Sequence, residues 1–228
     1  MQIADFGVNT LKLKKWAIVH ATDAFGQGGA KALTEALQAL GVTPILDQGY
    51  TSNAQDFTPI VLAVKKSGAE VLGTYMTVPA DQAIFAKQLK QLGVNIQWVG
   101  SPTTASVTAR TLAGEALHGT YAVADFNADA NDATRAFTKQ YSDRFGIPPD
   151  NFASWAYDAL HILALAIDNA KSTEPEAIRN AILAIKGYKG LEGTYEFDSN
   201  GDGLHGYNVV KNEAGKIVFI KRVDFPVQ

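Results

Sequence analysis

The chain has 228 residues, of which 46% are hydrophobic and 19% are charged, and its formal net charge is -3 at pH 7. This is an ordinary globular composition, and the mild acidic balance argues against nucleic acid or an anionic membrane surface as a partner. Because the chain contains no cysteine, disulfides, iron–sulfur clusters, cysteine-ligated zinc and a thiol nucleophile are excluded.

The first half of the chain alternates between short apolar runs and amphipathic stretches. A short helix is predicted over residues 3–13. Parallel strands are then predicted at residues 16–20, 42–46, 70–75, 96–99 and 118–123. Helices are predicted between them at residues 28–40, 56–66, 79–92 and 107–113. Residues 1–123 are therefore expected to form a doubly wound α/β unit, whose ligands would bind at the carboxyl ends of the strands.

The pattern changes after residue 123. Three amphipathic helices are predicted with no strand between them, at residues 131–145, 150–170 and 174–186. Short strands are predicted after them at residues 193–197, 207–211 and 216–223. An apolar stripe of this size is unusual on the surface of a soluble monomer, so we expect something outside the helical segment to cover it.

The start of the chain, Met1-Gln2-Ile3-Ala4-Asp5, does not have the basic residues, apolar stretch and cleavage site of a signal peptide. We therefore expect the chain to be either cytoplasmic or a processed or recombinant piece of something larger. It also has no run of 18 apolar residues, so the sequence predicts no membrane-spanning segment.

Several segments, in their order and spacing, resemble one known family. They are Lys14–Val19 with Asp23–Gly28, Asp56–Ile60 before Ala69–Val71, Phe137–Tyr141 before Phe145-Gly146, Trp155–Ala159 before Ala166-Ile167, and Gly193–Asp198 followed by Gly201. Together they are similar to the periplasmic leucine/isoleucine/valine-binding proteins, which are type I periplasmic binding proteins that deliver solutes to ABC importers. The resemblance covers essentially the whole chain.

That family has two α/β lobes joined by hinge strands, with the ligand in the cleft between the lobes. The resemblance implies that residues 1–123 and 190–228 form the second lobe, with a flavodoxin-like doubly wound parallel sheet. Residues 124–189 would be a helical segment of an incomplete first lobe, and the chain would be truncated at its N-terminus. The parent protein would be periplasmic and would serve a membrane ABC permease, and ligand binding by this chain would be impaired.

The resemblance also implies aromatic ligand contacts at the carboxyl ends of two strands. Phe25 takes the position of an aromatic residue that packs on the ligand. Tyr75 ends a strand that contacts the ligand in the family, and a tyrosine there offers a ring face and a hydroxyl.

A carboxylate is missing where amino acid binders of the family commonly have one. This sequence has Pro102 and Thr103 at that position, next to Ser101. A buried ammonium needs a carboxylate partner, so an α-amino acid ligand depends on Asp23 acting as the substitute. The hydroxyls of Ser101 and Thr103 suit a carboxylate, an amide or a polar neutral ligand better.

Two other functions remain open. Gly26-Gln27-Gly28-Gly29 between a strand and a helix could approach a phosphate, which would indicate a nucleotide-binding, flavodoxin-like or dehydrogenase-type enzyme domain. Lys31, however, occupies the position of the third glycine in that motif. The other alternative is an engineered, isolated lobe with no ligand.

The sequence also bears on metal binding and on assembly. Asp198–Gly203 matches the first half of a calcium loop, but Val209 stands where that loop has a bidentate glutamate, so we predict no metal and no cofactor. The helices at 131–186 would fold back on the sheet or exchange with a second copy, giving a homodimer.

Overall fold

The computed structural model describes residues 2–203 and 206–224. These residues divide into two compact units, which we call unit 1 and unit 2. Unit 1 contains the described residues up to Ala124 together with Val209–Lys221, and unit 2 contains Asp125–Asn208 together with the described residues from Arg222. The chain therefore passes from one unit to the other after Ala124, after Asn208 and after Lys221.

The helices and strands alternate along the chain. The strands are β1 (Trp16–Ala21), β2 (Leu46–Tyr50), β3 (Val71–Tyr75), β4 (Gln97–Gly100), β5 (Tyr121–Ala124), β6 (Lys186–Lys189), β7 (Thr194–Glu196), β8 (Gly206–Glu213) and β9 (Lys216–Asp224). The helices are α1 (Gln2–Asp5, continued by a π-helical turn at Phe6–Thr10), α2 (Ala24–Ala39), α3 (Thr58–Ser67), α4 (Pro79–Gln91), α5 (Pro102–Ala105), α6 (Val107–Ala113), α7 (Asp132–Phe145), α8 (Asn151–Ala170) and α9 (Pro175–Leu183).

A seven-stranded sheet with the order β2-β1-β3-β4-β5-β8-β9 forms the centre of unit 1. The pairings from β2 through β5 are parallel, and Ile18 in β1 pairs with Asp47 on one side and Gly73 on the other. β1 and β3 are buried almost throughout, as expected for central strands with helices on both faces. This topology confirms the predicted doubly wound α/β fold.

Aromatic side chains fill the core on one face of that sheet. The ring of Phe85 packs edge-on against Phe57 at 5.5 Å and against Trp98 at 5.6 Å between centroids. The indole N–H of Trp98 donates to the hydroxyl of Thr74 at 2.8 Å, so this buried donor is satisfied. A core of this kind holds the carboxyl ends of the strands on a rigid base.

The strand predicted at residues 42–46 was wrong, because β2 begins only at Leu46. The amide of Val42 donates to the carbonyl of Leu37 at 2.9 Å, and its side chain is buried, so Val42 closes the end of α2 instead. β2 lies at the edge of the sheet, which accounts for its polar residues Asp47 and Gln48.

Unit 2 consists of α7, α8 and α9 with a two-stranded antiparallel sheet, in which Lys189 of β6 pairs with Thr194 of β7. The sequence analysis did not predict β6. It also assigned residues 190–228 to the sheet domain, whereas residues 190–203, 206–208 and 222–224 lie in unit 2. The pairing with β6 holds β7 there. Residues 204, 205 and 225–228 of that assignment lie outside the described residues.

Helix α8 buries its more polar face. Its buried residues are Asn151, Ser154, Asp158, Ile162 and Ala166. On the other side, the side chains of Leu160 and Leu163 are 67% and 40% exposed. The apolar stripe that the sequence predicted for this helix is therefore largely uncovered. Although α8 is rich in apolar residues, none of the described helices combines the length and the apolarity that crossing a bilayer requires.

Candidate ligand site at the sheet edge of unit 1

The strand order of unit 1 reverses between β1 and β3. The chain goes from β1 outward to β2, then returns to the other side of β1 to form β3, β4 and β5. In open α/β sheets the loops on either side of such a reversal diverge and leave a crevice at the carboxyl ends of the strands, where ligands bind. Asp23 follows β1 and Tyr75 ends β3, so both lie at this edge.

Asp23 is held in place by several hydrogen bonds. Its Oδ1 accepts from the amide of Gly26 at 2.8 Å, which makes Asp23 the N-cap of α2, and the hydroxyl of Ser52 donates to Oδ2 at 3.4 Å. The hydroxyl of Thr77 and then the amide of Gly26 lower the pKa of Asp23 below its usual value. Asp23 therefore carries a negative charge at this edge at neutral pH. The cap also explains why α2 begins at Ala24 and not at the predicted residue 28.

Phe25 and Tyr75 form an aromatic pair beside Asp23. Their ring centroids are 5.9 Å apart with an interplanar angle of 59°. The side chain of Phe25 is 43% exposed, so part of its ring is available to a ligand, whereas Tyr75 is half-buried. Such a pair offers an apolar surface next to a fixed charge, which suits a small ligand with a charged end and an apolar end.

The glycines of the loop before α2 are explained by packing. A Cβ on Gly26 would overlap the backbone carbonyl of Ala21, and a Cβ on Gly29 would overlap the ring of Tyr75. The carboxylate of Asp23 already accepts a hydrogen bond from the amide of Gly26 at the N-terminus of α2. The positive end of the helix dipole therefore interacts with an anionic side chain of this chain. This geometry disfavours the phosphate-binding alternative for Gly26–Gly29.

Ser101 and Thr103 lie at the same edge, one strand further along. β4 pairs in parallel with β3, and the amide of Ser101 donates to the carbonyl of Thr74 at 2.9 Å. Both hydroxyl side chains are buried, and within the described residues the Oγ of Ser101 has no hydrogen-bond partner. An unpaired buried hydroxyl is a candidate for contact with a ligand or an ordered water.

Sequence reasoning missed Gln82, in the first turn of α4. Its side chain is fully buried, its Nε2 donates to the hydroxyl of Thr104 at 2.6 Å, and its Oε1 has no partner within the described residues. In the sequence, Gln82 reads as one polar residue of an amphipathic helix. The available signal was its position just after Pro79, at a helix start that follows the carboxyl end of β3.

No candidate site residue was predicted in the loop after β2, although this loop was expected to reach the ligand edge. The carboxylate of Asp81, which is buried, accepts from the amide of Asn53 at 2.8 Å. Burial raises the pKa of Asp81, against the lowering effect of that amide. This contact ties the loop to the start of α4 and so fixes Ser52, the neighbour of Asn53, next to Asp23.

The structure thus brings Asp23, Phe25 and Tyr75 together at the reversal of strand order, and it places Ser101 and Thr103 at the end of β4 on the same edge. Contact of these residues with a ligand stays a prediction.

Comparison with known proteins gives the chain a family and a fold. The family model described as "Periplasmic binding protein" matches residues 1–216. Leu/Ile/Val-binding protein homolog 3 of Brucella melitensis is 27% identical over 95% of this chain and 59% of its own length. A leucine binding protein from Thermotoga maritima has a TM-score of 0.90 at 20% identity, covering 98% of this chain and 64% of that one. A solute-binding protein from R. palustris in complex with benzoate has a TM-score of 0.87 at 17% identity, covering 97% of this chain and 61% of that one.

These likenesses bear on the predicted family and on its alternative. The family model and the Brucella relative are both described as binding proteins, which confirms the predicted family and favours it over the nucleotide-dependent enzyme. The structural likenesses show the fold alone. The chain spans about three-fifths of the length of the Brucella relative and under two thirds of each of the two solved structures.

Proposed function

The chain belongs to the periplasmic binding protein family, and from this membership we propose that it is part of a solute-binding protein for ABC-transporter uptake of a small amino acid, amide or carboxylate. The single observation that carries the proposal is the arrangement at the reversal of strand order, where the ionised Asp23 lies beside the aromatic pair of Phe25 and Tyr75. A charged group next to exposed ring surface matches a small ligand with one polar end.

The polar groups set the ligand class. Asp23 is the acceptor for a ligand ammonium, and the hydroxyls of Ser101 and Thr103 donate to a ligand carboxylate or amide. Phe25 and Tyr75 pack on the apolar part of the ligand. Of the two solved relatives, one is described as leucine binding and the other holds benzoate, so this fold accepts in those proteins both an amino acid and a carboxylate that has no ammonium.

In this proposal the chain is an N-terminally truncated part of the binding protein, and its own binding is impaired. Two observations support this. The chain spans 59% of the Brucella relative, and the apolar side of α8 is largely uncovered. A ligand that is contacted from one side only leaves much of its surface in water, so its affinity falls. The parent protein would be periplasmic and would deliver its ligand to a membrane ABC permease.

The uncovered side of α8 also supports a proposal about assembly. Leu160 and Leu163 lose about 1.5–3 kcal/mol each when they stay in water rather than in a core. Either strands from a longer form of the protein or the helices 131–186 of a second copy would cover them, the latter giving a homodimer.

Isothermal calorimetry with leucine, leucinamide and benzoate tests the ligand proposal. We expect weak binding of at least one of these to this chain, and its loss in Phe25→Ala and Tyr75→Ala. Phe145→Ala is the matched control, because Phe145 is an exposed phenylalanine of unit 2 and outside the site. Equal binding by Phe25→Ala, Tyr75→Ala and the unsubstituted chain would place the ligand elsewhere. An engineered lobe with no ligand predicts no heat from any of the three compounds.

A further inference from the structure

Unit 2 contains a cluster of buried acid and hydroxyl side chains, which we call the acid cluster. Its members are Ser154 and Asp158 on α8, Glu192 between β6 and β7, and Tyr195 on β7. Glu192 is 3% exposed and Asp158 is 1% exposed. Two carboxyl groups buried side by side are costly unless each charge is compensated or one group keeps its proton.

Asp158 is compensated by the backbone. The amides of Leu191 and Glu192 donate to its two carboxylate oxygens at 3.0 and 3.2 Å. Gly190 lies so close that a Cβ there would come within 2.5 Å of Oδ2, so this glycine lets the chain wrap around the carboxylate. Both carboxylate oxygens of Asp158 therefore have a backbone donor, whereas the side chain of Glu192 has none within the described residues.

The partners of the Glu192 carboxyl group are two hydroxyl groups, and each hydroxyl contacts a second acceptor as well. Its Oε1 lies 2.6 Å from the Oγ of Ser154, which is also 3.0 Å from the carbonyl of Asn151. Its Oε2 lies 2.9 Å from the hydroxyl of Tyr195, which is also 3.3 Å from Oδ2 of Asp158. Each hydroxyl carries one proton, so these oxygen–oxygen contacts outnumber the hydroxyl protons available to them.

A proton on Oε1 of Glu192 resolves this shortage at Ser154. Glu192 then donates to Ser154, Ser154 donates to the carbonyl of Asn151, and the hydroxyl of Tyr195 remains for the acceptors on its side. We propose that Glu192 is a neutral carboxylic acid at neutral pH, and that its bound proton fastens the segment between β6 and β7 to α8. This goes beyond ligand binding and does not depend on it.

The groups around Glu192 favour the same state. The charges that act on its carboxyl are those of Asp125 and Asp158, both negative, and its charge acts in turn on Tyr195 and Tyr207. Burial raises the pKa of Glu192 to about 8, against the lowering effect of the hydrogen bond from Ser154.

Asp125 and Tyr188 also interact electrostatically with members of this cluster. The pKa of Asp125 is raised to about 6, by burial and against the lowering effects of Trp155 and of the charge of Arg222. The pKa of Tyr188 is raised, by burial first and then by the negative charge of Asp158.

The sign of the pH dependence follows from the raised pKa. Between the ordinary glutamate value of 4.5 and about 8, the folded chain keeps a proton that the unfolded chain has lost. The contribution of Glu192 to stability is therefore complete below the ordinary value, falls as the pH rises, and is lost above the folded pKa. For one proton, the unfolding constant rises about tenfold per pH unit in that window.

Urea unfolding at a series of pH values, compared with Glu192→Gln, tests the proposal. The amide cannot titrate, so above about pH 6, where Asp125 has already titrated, we expect this variant to lack the tenfold rise per pH unit that the unsubstituted chain shows up to about pH 8. Glu196→Gln is the matched control, because Glu196 is a half-exposed glutamate on β7 that lies 3.5 Å from Lys186, and it should keep the slope. Identical slopes in the unsubstituted chain and Glu192→Gln would overturn the proposal.

Infrared spectroscopy reads the proton directly. We expect a protonated carboxyl band at pH 7 that falls to half its intensity near pH 8, and that is missing in Glu192→Gln. Asp125→Asn separates the two buried acids: it should move the midpoint of the band to lower pH, because a negative neighbour has gone, and not abolish it. A band lost in Asp125→Asn and kept in Glu192→Gln would place the proton on Asp125 and overturn the proposal. If Glu192→Gln does not fold, the unsubstituted chain and Asp125→Asn still test the proposal. A band that persists in Asp125→Asn with a lower midpoint supports it, and a band that is absent from the unsubstituted chain at pH 7 overturns it.

Discussion

The ring of Tyr75 lies directly against Gly29, so close that a Cβ on this glycine would overlap the ring. We therefore expect Gly29→Ala to displace the tyrosine, to destabilise the chain and to weaken ligand binding together. Forcing extra volume into a packed contact typically costs about 1–3 kcal/mol. Urea unfolding and calorimetry with the ligand panel measure the two effects.

Gly28→Ala is the control for this substitution. Gly28 precedes Gly29 in α2, and a Cβ there meets no atom within 4 Å. Replacing a helical glycine by alanine stabilises by up to about 1 kcal/mol, so Gly28→Ala should raise stability and leave binding unchanged. Equal effects of the two substitutions would mean that the ring of Tyr75 does not depend on the glycine.

Asp23 has two roles that different substitutions separate. Asparagine caps a helix about as well as aspartate, whereas alanine costs about 1 kcal/mol at an N-cap. We expect Asp23→Asn to keep the stability of the chain except for the part that the charge supplies, and to lose binding of ligands that carry an ammonium, while Asp23→Ala also loses the cap.

The pH dependence of the Asp23 contribution has a definite sign. Because the folded pKa of Asp23 is lowered, its charge contributes stability above the ordinary value of 3.8, and this contribution is lost as the pH falls through the folded value. The difference in stability between Asp23→Ala and the unsubstituted chain should therefore shrink in acid below about pH 4. A difference that stays constant down to pH 2 would show that the charge adds nothing to the cap.

Two buried hydroxyls of unit 1 should respond in opposite ways. The hydroxyl of Ser101 has no partner within the described residues, so Ser101→Ala should leave stability unchanged or raise it. The hydroxyl of Thr74 accepts from the indole of Trp98, so Thr74→Val leaves that donor unpaired and should cost about 1–3 kcal/mol. A loss of ligand affinity in Ser101→Ala at unchanged stability would support its proposed contact. Thermal unfolding with and without ligand measures both.

Substitutions on the two faces of α8 should also have different effects. Ile162 is buried and Leu160 is 67% exposed. We expect Ile162→Ala to cost about 2–5 kcal/mol, whereas Leu160→Lys leaves the stability of the monomer unchanged. If a second copy covers the exposed side, light scattering should show a dimer for the unsubstituted chain and a monomer for Leu160→Lys. A monomer in both cases would exclude the exchange of helices.

Periodicity predicted the fold where one physical requirement dominates. β1 is a central strand with both faces covered, so it is apolar from Trp16 to Val19, and it could be located from sequence. β2 could not, because an edge strand tolerates polar residues, while the nearby apolar Val42 serves the end of a helix. The residues of the site that follow strands were predicted, whereas Gln82 was not, since burial of a helical glutamine depends on what packs against it.

The double role of Asp23 restricts how ligand preference could change during evolution. A residue at this position has to begin α2, and the side chains that do so well are aspartate, asparagine, serine and threonine. Descendants of this sequence could therefore exchange a preference for cationic groups for one based on neutral hydrogen bonding in a single step. A lysine or arginine at this position would favour anionic ligands, but neither side chain caps a helix. Such a change would therefore require a different N-cap residue for α2 at the same time.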